Sequence, residues 1–466
     1  MPQMQLDSYI CMSARYELIH WKKSNDDIFL ISCPAERNEQ EITVNHCAFD
    51  VLKLLDGTHK LQEIERLLQK QYPEDIQELK GKVRAFLQDL AAKGVVESLD
   101  MPEKRKKEPI VIKSDYWLKK LQIELTSKCN LRCKHCYFYE DKKSKDTYEL
   151  PFSKIKDIVD EVKRMGAEVI SLTGGEPFMR NDIYDVLTYI ESKNMAIVIL
   201  TNGTLIDQKV AQKISTFKNL YVTISLDGPQ SAHERLRGVK GCFDKTLDAI
   251  RHLLSVGLTP QINLTLNRET LGGSSELVTI LKRLGLQKPP RIGIALNLGR
   301  ASENNESITI GEFAKEFETY WKAVISVFGF EKYPVRTQKT RNCGVGDESL
   351  VITSEGNIVP CPPLNREPFI LGNVYHKRIS DVWINSKMLQ KIREIDTHKN
   401  RKCSSCKHWE YCGGGCRVSA MISSGGVTDR FFDAPNPFAC ARWSVVAESI
   451  KILDENSDDI ALSQLI

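Results

Sequence analysis

Residues 126–140 read TSKCNLRCKHCYFYE and set Cys129, Cys133 and Cys136 in the spacing C-x3-C-x2-C. Thiolates are soft donors that select zinc or iron–sulfur clusters. Three of them are one short of the closed four-ligand set of a structural zinc site. A zinc ion completed by a distant histidine is one reading of the triplet. The other is a four-iron–four-sulfur cube held through three irons, with the fourth iron open to a small molecule. Seven more cysteines follow. Cys343 and Cys361 enclose Gly356 in C-x12-G-x4-C, Cys403, Cys406, Cys412 and Cys416 read C-x2-C-x5-C-x3-C, and Cys440 stands beyond them. Two structural zinc ions compete with two clusters for these thiols. Cys11, Cys33, Cys47 and Cys242 are scattered, and each is expected to be a small buried hydrophobe.

The chain around these residues is long and ordinary in composition. Its 466 residues exceed one small core, so several domains are expected. Hydrophobic content of 41% and charged content of 27% describe a water-soluble chain. A net charge of +4 is too small to point to nucleic acid or a membrane surface as partner. The start, MPQMQLDSYICMSARYE, carries no signal-peptide core, and no apolar run approaches the ~20 residues that span a bilayer. A cytoplasmic protein is expected, and there clustered thiols serve metal or catalysis rather than disulfides.

The elements that must position the triplet follow a clear rhythm. LQIELT, EVISLT, AIVILT, LYVTISL, PQINLTL and RIGIALNL read as strands, with FSKIKDIVDEVKRMG and CFDKTLDAIRHLLSVG among the helices between them. Six such units predict an α/β fold, a partial (β/α)6 barrel of the TIM type, over 119–330. Chemistry in such folds gathers at the C-terminal strand ends. The three cysteines follow LQIELT, Gly174-Gly175-Glu176-Pro177 follows EVISLT, Thr201-Asn202-Gly203 ends AIVIL, and Ser225-Leu226-Asp227-Gly228 ends LYVTI. Before the barrel, residues 1–100 predict a winged-helix-like module. Its strands are ARYELIHW, DDIFLIS and EITV, and its helices include one closed by Asp56-Gly57. Residues 101–118, MPEKRKKEPIVIKSDYWL, read as a solvated basic linker. Residues 331–466 predict a loop-rich domain organised by metal rather than by a large apolar core.

The triplet after the first barrel strand, with the GGEP turn after the second, resembles the radical S-adenosylmethionine (SAM) superfamily. The resemblance implies that Cys129, Cys133 and Cys136 hold a 4Fe–4S cluster whose open iron chelates SAM. It implies that Gly174 and Gly175 let backbone approach the SAM amino group, which Glu176 meets as a charged acceptor. Ser225 and Arg237 become candidates for the SAM carboxylate, with Asn202 and Asp227 lining the same rim. His135 is not expected to be a ligand.

The later cysteines resemble the SPASM auxiliary-cluster domain. By that resemblance Cys403, Cys406, Cys412 and Cys440 hold an outer 4Fe–4S cluster, while Cys343, Cys361 and Cys416 hold an inner one. Three clusters are then expected, the inner one again short of a protein ligand. The N-terminal module resembles the RiPP recognition element of enzymes that mature ribosomally made peptides, which binds a leader peptide by strand addition. Together these resemble the maturases of sactipeptides and ranthipeptides, which install thioether crosslinks in a precursor peptide. Such a reaction also implies an electron donor such as flavodoxin or ferredoxin. Carbon–carbon crosslinking and a non-catalytic peptide-binding scaffold remain as alternatives. Sulfatase maturation is disfavoured because Pro362 stands where those enzymes typically carry an acidic residue.

Overall fold

The computed structural model describes residues 8–34, 41–72, 75–105, 108–137, 147–329, 343–425 and 434–456. The chain divides into two compact units. One is Met1–Lys119 with Val159–Val169 and Ile190–Ala196, and the other is the remainder.

The first unit opens with β1 (Tyr9–Met12), β2 (Glu17–Lys22), β3 (Asp27–Ser32) and β4 (Ile42–Val44). It continues through α1 (His46–Lys53), β5 (Asp56–Lys60), α2 (Leu61–Gln71), α3 (Ile76–Ala92), β6 (Val96–Leu99) and β7 (Ile110–Lys113). Asn45 caps α1 by accepting from Ala48 N–H, and Asp75 caps α3 by accepting from Gln77 and Glu78. The apolar faces of the three helices and of β2 and β3 close one core around Leu18, Ile31, Phe49, Ile64, Leu87 and Leu90. Two sheets result, β5-β1-β6 and β4-β3-β2-β7, with β4 at an edge of the second.

Sequence expectation fails at three places here. DGTHK does not end a helix but forms β5, paired antiparallel with β1. The basic linker is no solvated hinge. Its IVIK run forms β7, parallel to β2, and Trp117 and Leu118 are 2% and 1% exposed. Trp117 Nε1 donates to Gly166 O at 2.9 Å. The run of lysines and arginines hides the short apolar run after it. Cys11 and Cys242 are buried as expected and Cys33 is half-buried, but Cys47 is exposed.

The second unit is built on a nine-stranded sheet in the order β13-β12-β11-β10-β9-β8-β14-β15-β16. The six expected barrel strands are β8 (Lys120–Thr126), β9 (Val169–Gly174), β10 (Ala196–Thr201), β11 (Leu220–Ser225), β12 (Gln261–Leu266) and β13 (Arg291–Ile294). Between them run α4 (Phe152–Arg164), α5 (Ile183–Ser192), α6 (Gln208–Ile214), α7 (Gln230–Arg237), α8 (Cys242–Ser255) and α9 (Ser274–Arg283). After β13 come α10 (Arg300–Glu303) and α11 (Ile310–Phe328).

Period-two alternation gives each strand two characters. Leu121, Ile123, Leu125, Ile170, Leu172, Ile262 and Leu264 are at most 2% exposed. Each contributes roughly 1.5–3 kcal/mol by leaving water. The alternate positions are polar. Gln122, Glu124 and Thr126 on β8, Ser171 and Thr173 on β9, and Asn263 and Thr265 on β12 form the inner face.

The C-terminal region does more than the sequence suggests. β14 (Ser349–Ile352) pairs parallel with β8, and β15 (Asn357–Val359) and β16 (Gly372–Asn373) extend the same sheet. Helices α12 (Ile379–Asn385) and α13 (Lys387–Arg393) bury Val382, Trp383, Leu389 and Ile392, so this region has an apolar core as well as its cysteines. Four helices complete it: α14 (Arg401–Ser404), α15 (Trp409–Cys412), α16 (Arg417–Ser423) and α17 (Pro437–Asn456). Among the described residues no helix is long and apolar enough to cross a membrane.

The burial of Trp117 separates a structural segment from a hinge. Trp117→Ala should cost about 3–5 kcal/mol in urea unfolding. A change below about 0.5 kcal/mol, as expected for an exposed linker position, would contradict the assignment.

Candidate active site

The triplet leaves β8 on a loop, Ser127–Tyr137, that contains no helix or strand. Its shape is imposed from outside. On one side Gly175 N donates to Thr126 O at 2.7 Å and Glu176 N to Lys128 O at 2.8 Å. A Cβ on Gly174 would lie 2.3 Å from Thr126 O, and one on Gly175 would lie 2.1 Å from Lys128 O. Sequence alone assigns these glycines to the approach of a cofactor. The structure gives them a further reason, because the space a side chain would need is filled by the loop that carries the cysteines.

The other sides are held as firmly. Asn202 Nδ2 donates to Asn130 Oδ1 at 2.9 Å, and Asn130 Nδ2 donates to Thr204 Oγ1 at 2.8 Å. Arg132 N and Lys134 N donate to the carbonyls of Arg237 and Leu236 at the end of α7. Arg300 N, at the start of α10, donates to Cys136 O at 3.0 Å. Lys134 forms an ion pair with Glu269.

Within this frame Cys129, Cys133 and Cys136 pack together with Leu131, Val239 and Cys242. Burial pushes the Cys129 thiol up to about 11, the Leu131 N–H opposing and the other two thiols adding to the rise. Burial raises Cys133 as well, against the pull of Arg237. Desolvated thiols such as those of Cys129 and Cys133 ionise when a metal takes the place of their protons, so the donor chemistry fits an iron–sulfur centre. Among the described residues no three His, Cys, Asp or Glu side chains converge as a single-ion site.

Arg237 and Asp227 form a buried pair behind Cys133. The guanidinium donates to Asp227 Oδ2 from Nε at 2.7 Å and from Nη2 at 2.6 Å, and Nη1 lies 3.6 Å from Cys133 Sγ. Asp227 Oδ1 accepts from Thr265 N at 3.0 Å. Burial works to raise the Asp227 carboxyl, but Arg237, His135, His233 and the Thr265 N–H together hold the group below its usual range. His233, whose Nδ1 accepts from Asp227 N–H, is lowered to about 3, chiefly by burial. His135 is lowered to about 4 for the same reason, so both imidazoles are neutral near pH 7.

Arg237, by resemblance a candidate for the SAM carboxylate, has its described contacts to Asp227 and Cys133. Asp227 and Asn202 are likewise engaged by protein groups rather than open on a rim. Glu176 is wholly buried, accepting from Thr201 Oγ1 at 2.7 Å, Asn202 N at 2.9 Å and Phe178 N at 3.3 Å. Burial raises its pKa although those donors favour the anion. Its visible work is to tie the β9 and β10 loops together. Ser225 alone among these side chains stands half-buried on the inner face, opposite Asn263 in the β11–β12 register. Asn263 Oδ1 is buried with no hydrogen-bond partner among the described residues, an acceptor that a ligand donor would complete.

Asn130, Asn263 and Glu124 were not singled out from sequence. Asn130 lies inside the triplet, and alternation along PQINLTL would have placed Asn263 inward. Glu124 is 2% exposed on β8 and is pushed up to about 8 by burial, with exposed Glu355 adding to the effect. The Tyr137 phenol lies within electrostatic reach of Glu124, Cys136 and Cys361, and burial raises it well above its ordinary value.

The C-terminal cysteines interact electrostatically with one another in two groups. Cys361 feels Cys416 and Cys343, and Cys416 feels Cys343. Cys412 feels Cys440, Cys403 and Cys406. Hairpin β14–β15 carries the chain from Cys343 back to Cys361, which packs against Leu298, Leu364 and Val418. Gly413, Gly414 and Gly415 take φ of 53°, 82° and 70°, a left-handed run that joins Cys412 to Cys416. Arg417 is 2% exposed and within electrostatic reach of Cys343 and Cys416 on one side and Cys403 and Cys412 on the other.

Comparison with known proteins agrees with this arrangement. Residues 123–272 match the radical SAM superfamily, 343–407 match SPASM, an iron-sulfur cluster-binding domain, and 35–96 match coenzyme PQQ synthesis protein D (PqqD). The AdoMet-dependent heme synthase of Methanosarcina barkeri is 27% identical over 65% of this chain and 92% of its own. The subtilosin biosynthesis protein AlbA of Bacillus subtilis is 28% identical over 65% of this chain and 68% of its own. The fold is similar to Streptococcus suis SuiB, solved with precursor peptide SuiA, with a TM-score of 0.63, 18% identity, and 92% of this chain and 99% of that one covered. The thiol loop, the glycine turn and the inner strands all fall in the first matched segment, and the chain carries a radical SAM domain with a PqqD-type domain before it and an SPASM domain after it.

Proposed function

We propose that this chain is a peptide maturase that uses SAM and three 4Fe–4S clusters to join a cysteine sulfur to carbon within a ribosomally made precursor peptide. What supports the reading is that ten cysteines group by spacing and electrostatic proximity into sets of three, three and four. Cys129, Cys133 and Cys136 would hold the cluster that binds SAM, Cys343, Cys361 and Cys416 the inner auxiliary cluster, and Cys403, Cys406, Cys412 and Cys440 the outer one. When bound, the first cluster and SAM supply a 5′-deoxyadenosyl radical that removes a hydrogen atom from carbon.

The chain's own residues supply placement. Ser225 and Asn263 present polar groups to the inner face, where SAM would sit. Glu176 and Asn202 hold the loops around it, and Arg237 with Asp227 orients Cys133. The Tyr137 region lies near both three-cysteine sets, so a peptide sulfur at the inner set would be close to the carbon attacked. A peptide cysteine would complete that set as a ligand and lose its proton. Net loss of two hydrogens leaves one C–S bond. One leaves as a hydrogen atom, and the other as a proton with an electron taken by an oxidised auxiliary cluster.

The PqqD-type domain supports a peptide substrate. Its edge strand β4 can accept an added strand. Just beyond it lies a cavity of about 290 Å3 walled by Val51, Leu68 and Val83, with exposed Cys47 and Lys82 in its lining. A leader held there raises the effective concentration of the segment to be modified. The cytosol, where the thiols stay reduced, suits such an enzyme. Formation of a carbon–carbon bond is the second reading, and the free-thiol count of the product decides between them.

Anaerobic protein, reductant, SAM and precursor should give a peptide lighter by two hydrogens, with one alkylatable thiol lost per crosslink. A product of that mass with every thiol still alkylatable would exclude the thioether. Changing Cys129, Cys133 and Cys136 together to Ala should abolish 5′-deoxyadenosine formation while leader binding persists, and retained cleavage would refute the cluster assignment. Cys47→Trp, which fills the cavity from its exposed lining, should weaken leader binding about 10-fold and leave peptide-independent SAM cleavage unchanged. Unaltered leader affinity by fluorescence titration would place the leader elsewhere.

A further inference from the structure

A buried guanidinium lies where the two C-terminal cysteine groups meet. Arg417 directly follows Cys416 and is 2% exposed. Its Nε donates to Gly415 O at 3.2 Å, and its Nη2 donates to Gly414 O. Both carbonyls belong to the left-handed run between Cys412 and Cys416, so one side chain grips the segment that carries a thiol of each group. Its Nη1 donates to Ala434 O at 2.9 Å. Two residues further on, Asn436 Nδ2 donates to Cys416 O at 2.9 Å, and Asn436 O accepts from Cys440 N at 3.0 Å. The charge is pinned by backbone that runs into Cys412, Cys416 and Cys440.

A cation is costly to hold in such a place unless negative charge lies near it. Burial lowers the Arg417 pKa, against the pull of Cys343 and Cys416 from one group and of Cys403 and Cys412 from the other. The thiols beside it also face backbone donors. Cys412 accepts from Gly414 N–H, and Cys416 from Val418 and Ser419 N–H. Thiolates that bind metal at these positions bring the negative charge that compensates the guanidinium from both sides.

We propose that Arg417 is a fixed positive charge shared by the two auxiliary centres, that it raises the reduction potential of both, and that it thereby draws the electron released during crosslinking away from the peptide. The inference rests on both cysteine groups holding iron–sulfur clusters. A hydrogen atom first leaves the peptide carbon, and the peptide thiol gives up its proton. The carbon radical and the thiolate then form the C–S bond and release one electron, which the oxidised auxiliary centre takes up. That centre becomes more negative by one unit, and a nearby cation in a poorly screened site favours the change. Net charge, hydrogen bonds to sulfur and burial are the levers that set such potentials. Arg417 is thus a positioning residue that touches neither the peptide nor SAM.

The test uses the full chain, reconstituted anaerobically with iron and sulfide, and redox titration followed by electron paramagnetic resonance. Replacing Cys129, Cys133 and Cys136 by Ala in the same chain leaves only the auxiliary signals to be read. Arg417→Gln keeps N–H donors for the glycine carbonyls and removes the charge, whereas Arg417→Lys keeps the charge. Arg417→Gln should lower both auxiliary potentials by about 59 mV or more, a tenfold change in each one-electron equilibrium. Arg417→Lys should restore most of that shift. With the triplet intact, Arg417→Gln should also raise the 5′-deoxyadenosine made per crosslinked peptide. Unmoved potentials in Arg417→Gln, a shift confined to one centre, or equal shifts in the two variants would overturn the proposal. Loss of auxiliary iron from both variants would overturn it too, leaving Arg417 a purely structural clamp. A wild-type chain that binds iron at the triplet alone would instead overturn the cluster assignment beneath it.

Discussion

Everything at the candidate site depends on a loop that cannot hold its own shape. Ser127–Tyr137 has no helical or strand pairing, yet it must present three sulfurs in fixed relation. The barrel solves this by surrounding it. The β9 turn approaches so closely that Gly174 and Gly175 admit no Cβ, Asn202 reaches Asn130, and the end of α7 and the start of α10 accept from or donate to its backbone. Each such hydrogen bond contributes only about 0.5–1.5 kcal/mol, but a buried backbone group left unpaired costs more. The loop is therefore specified by its surroundings, as a preorganised ligand set has to be.

Electrostatics then separates structural charge from reactive charge. Arg237 and Asp227 satisfy one another while an N–H of the guanidinium reaches Cys133 Sγ. Removing either partner would leave a buried charge at a cost of about 3–5 kcal/mol. The thiols of Cys129 and Cys133 are desolvated and raised, a condition that a metal relieves by replacing their protons. The inner face of the sheet remains polar, with Glu124, Ser225 and Asn263 beside apolar neighbours on the opposite face.

Much of this was legible in the chain because several independent signals coincide. Alternation in LQIELT and PQINLTL locates strands, and the C-x3-C-x2-C and GGEP segments fall at their C-terminal ends. The grouping of Cys343, Cys361 and Cys416 apart from the other four also follows the resemblance that their spacing carries. Side-chain destinations were less legible. That Arg237 reaches Asp227 follows only from the turn of α7 back toward β11. That Glu176 accepts from Thr201 and Asn202 follows only from the approach of the β10 loop. The missed β7 and buried Trp117 show the same limit, since three apolar residues after a basic run carry too little periodicity to distinguish an edge strand from a tether. Cys47 was misjudged because burial depends on which helix face α1 leaves open.

The central claim is that an iron–sulfur centre on Cys129, Cys133 and Cys136 keeps one iron open and fills it with SAM. Electron paramagnetic resonance of the anaerobically reconstituted, reduced chain tests this most directly, with and without SAM. The account predicts that one cluster signal shifts when SAM is added and that the shift is absent when the three cysteines are replaced. A spectrum indifferent to SAM, or a zinc ion coordinated by those thiols, would contradict it.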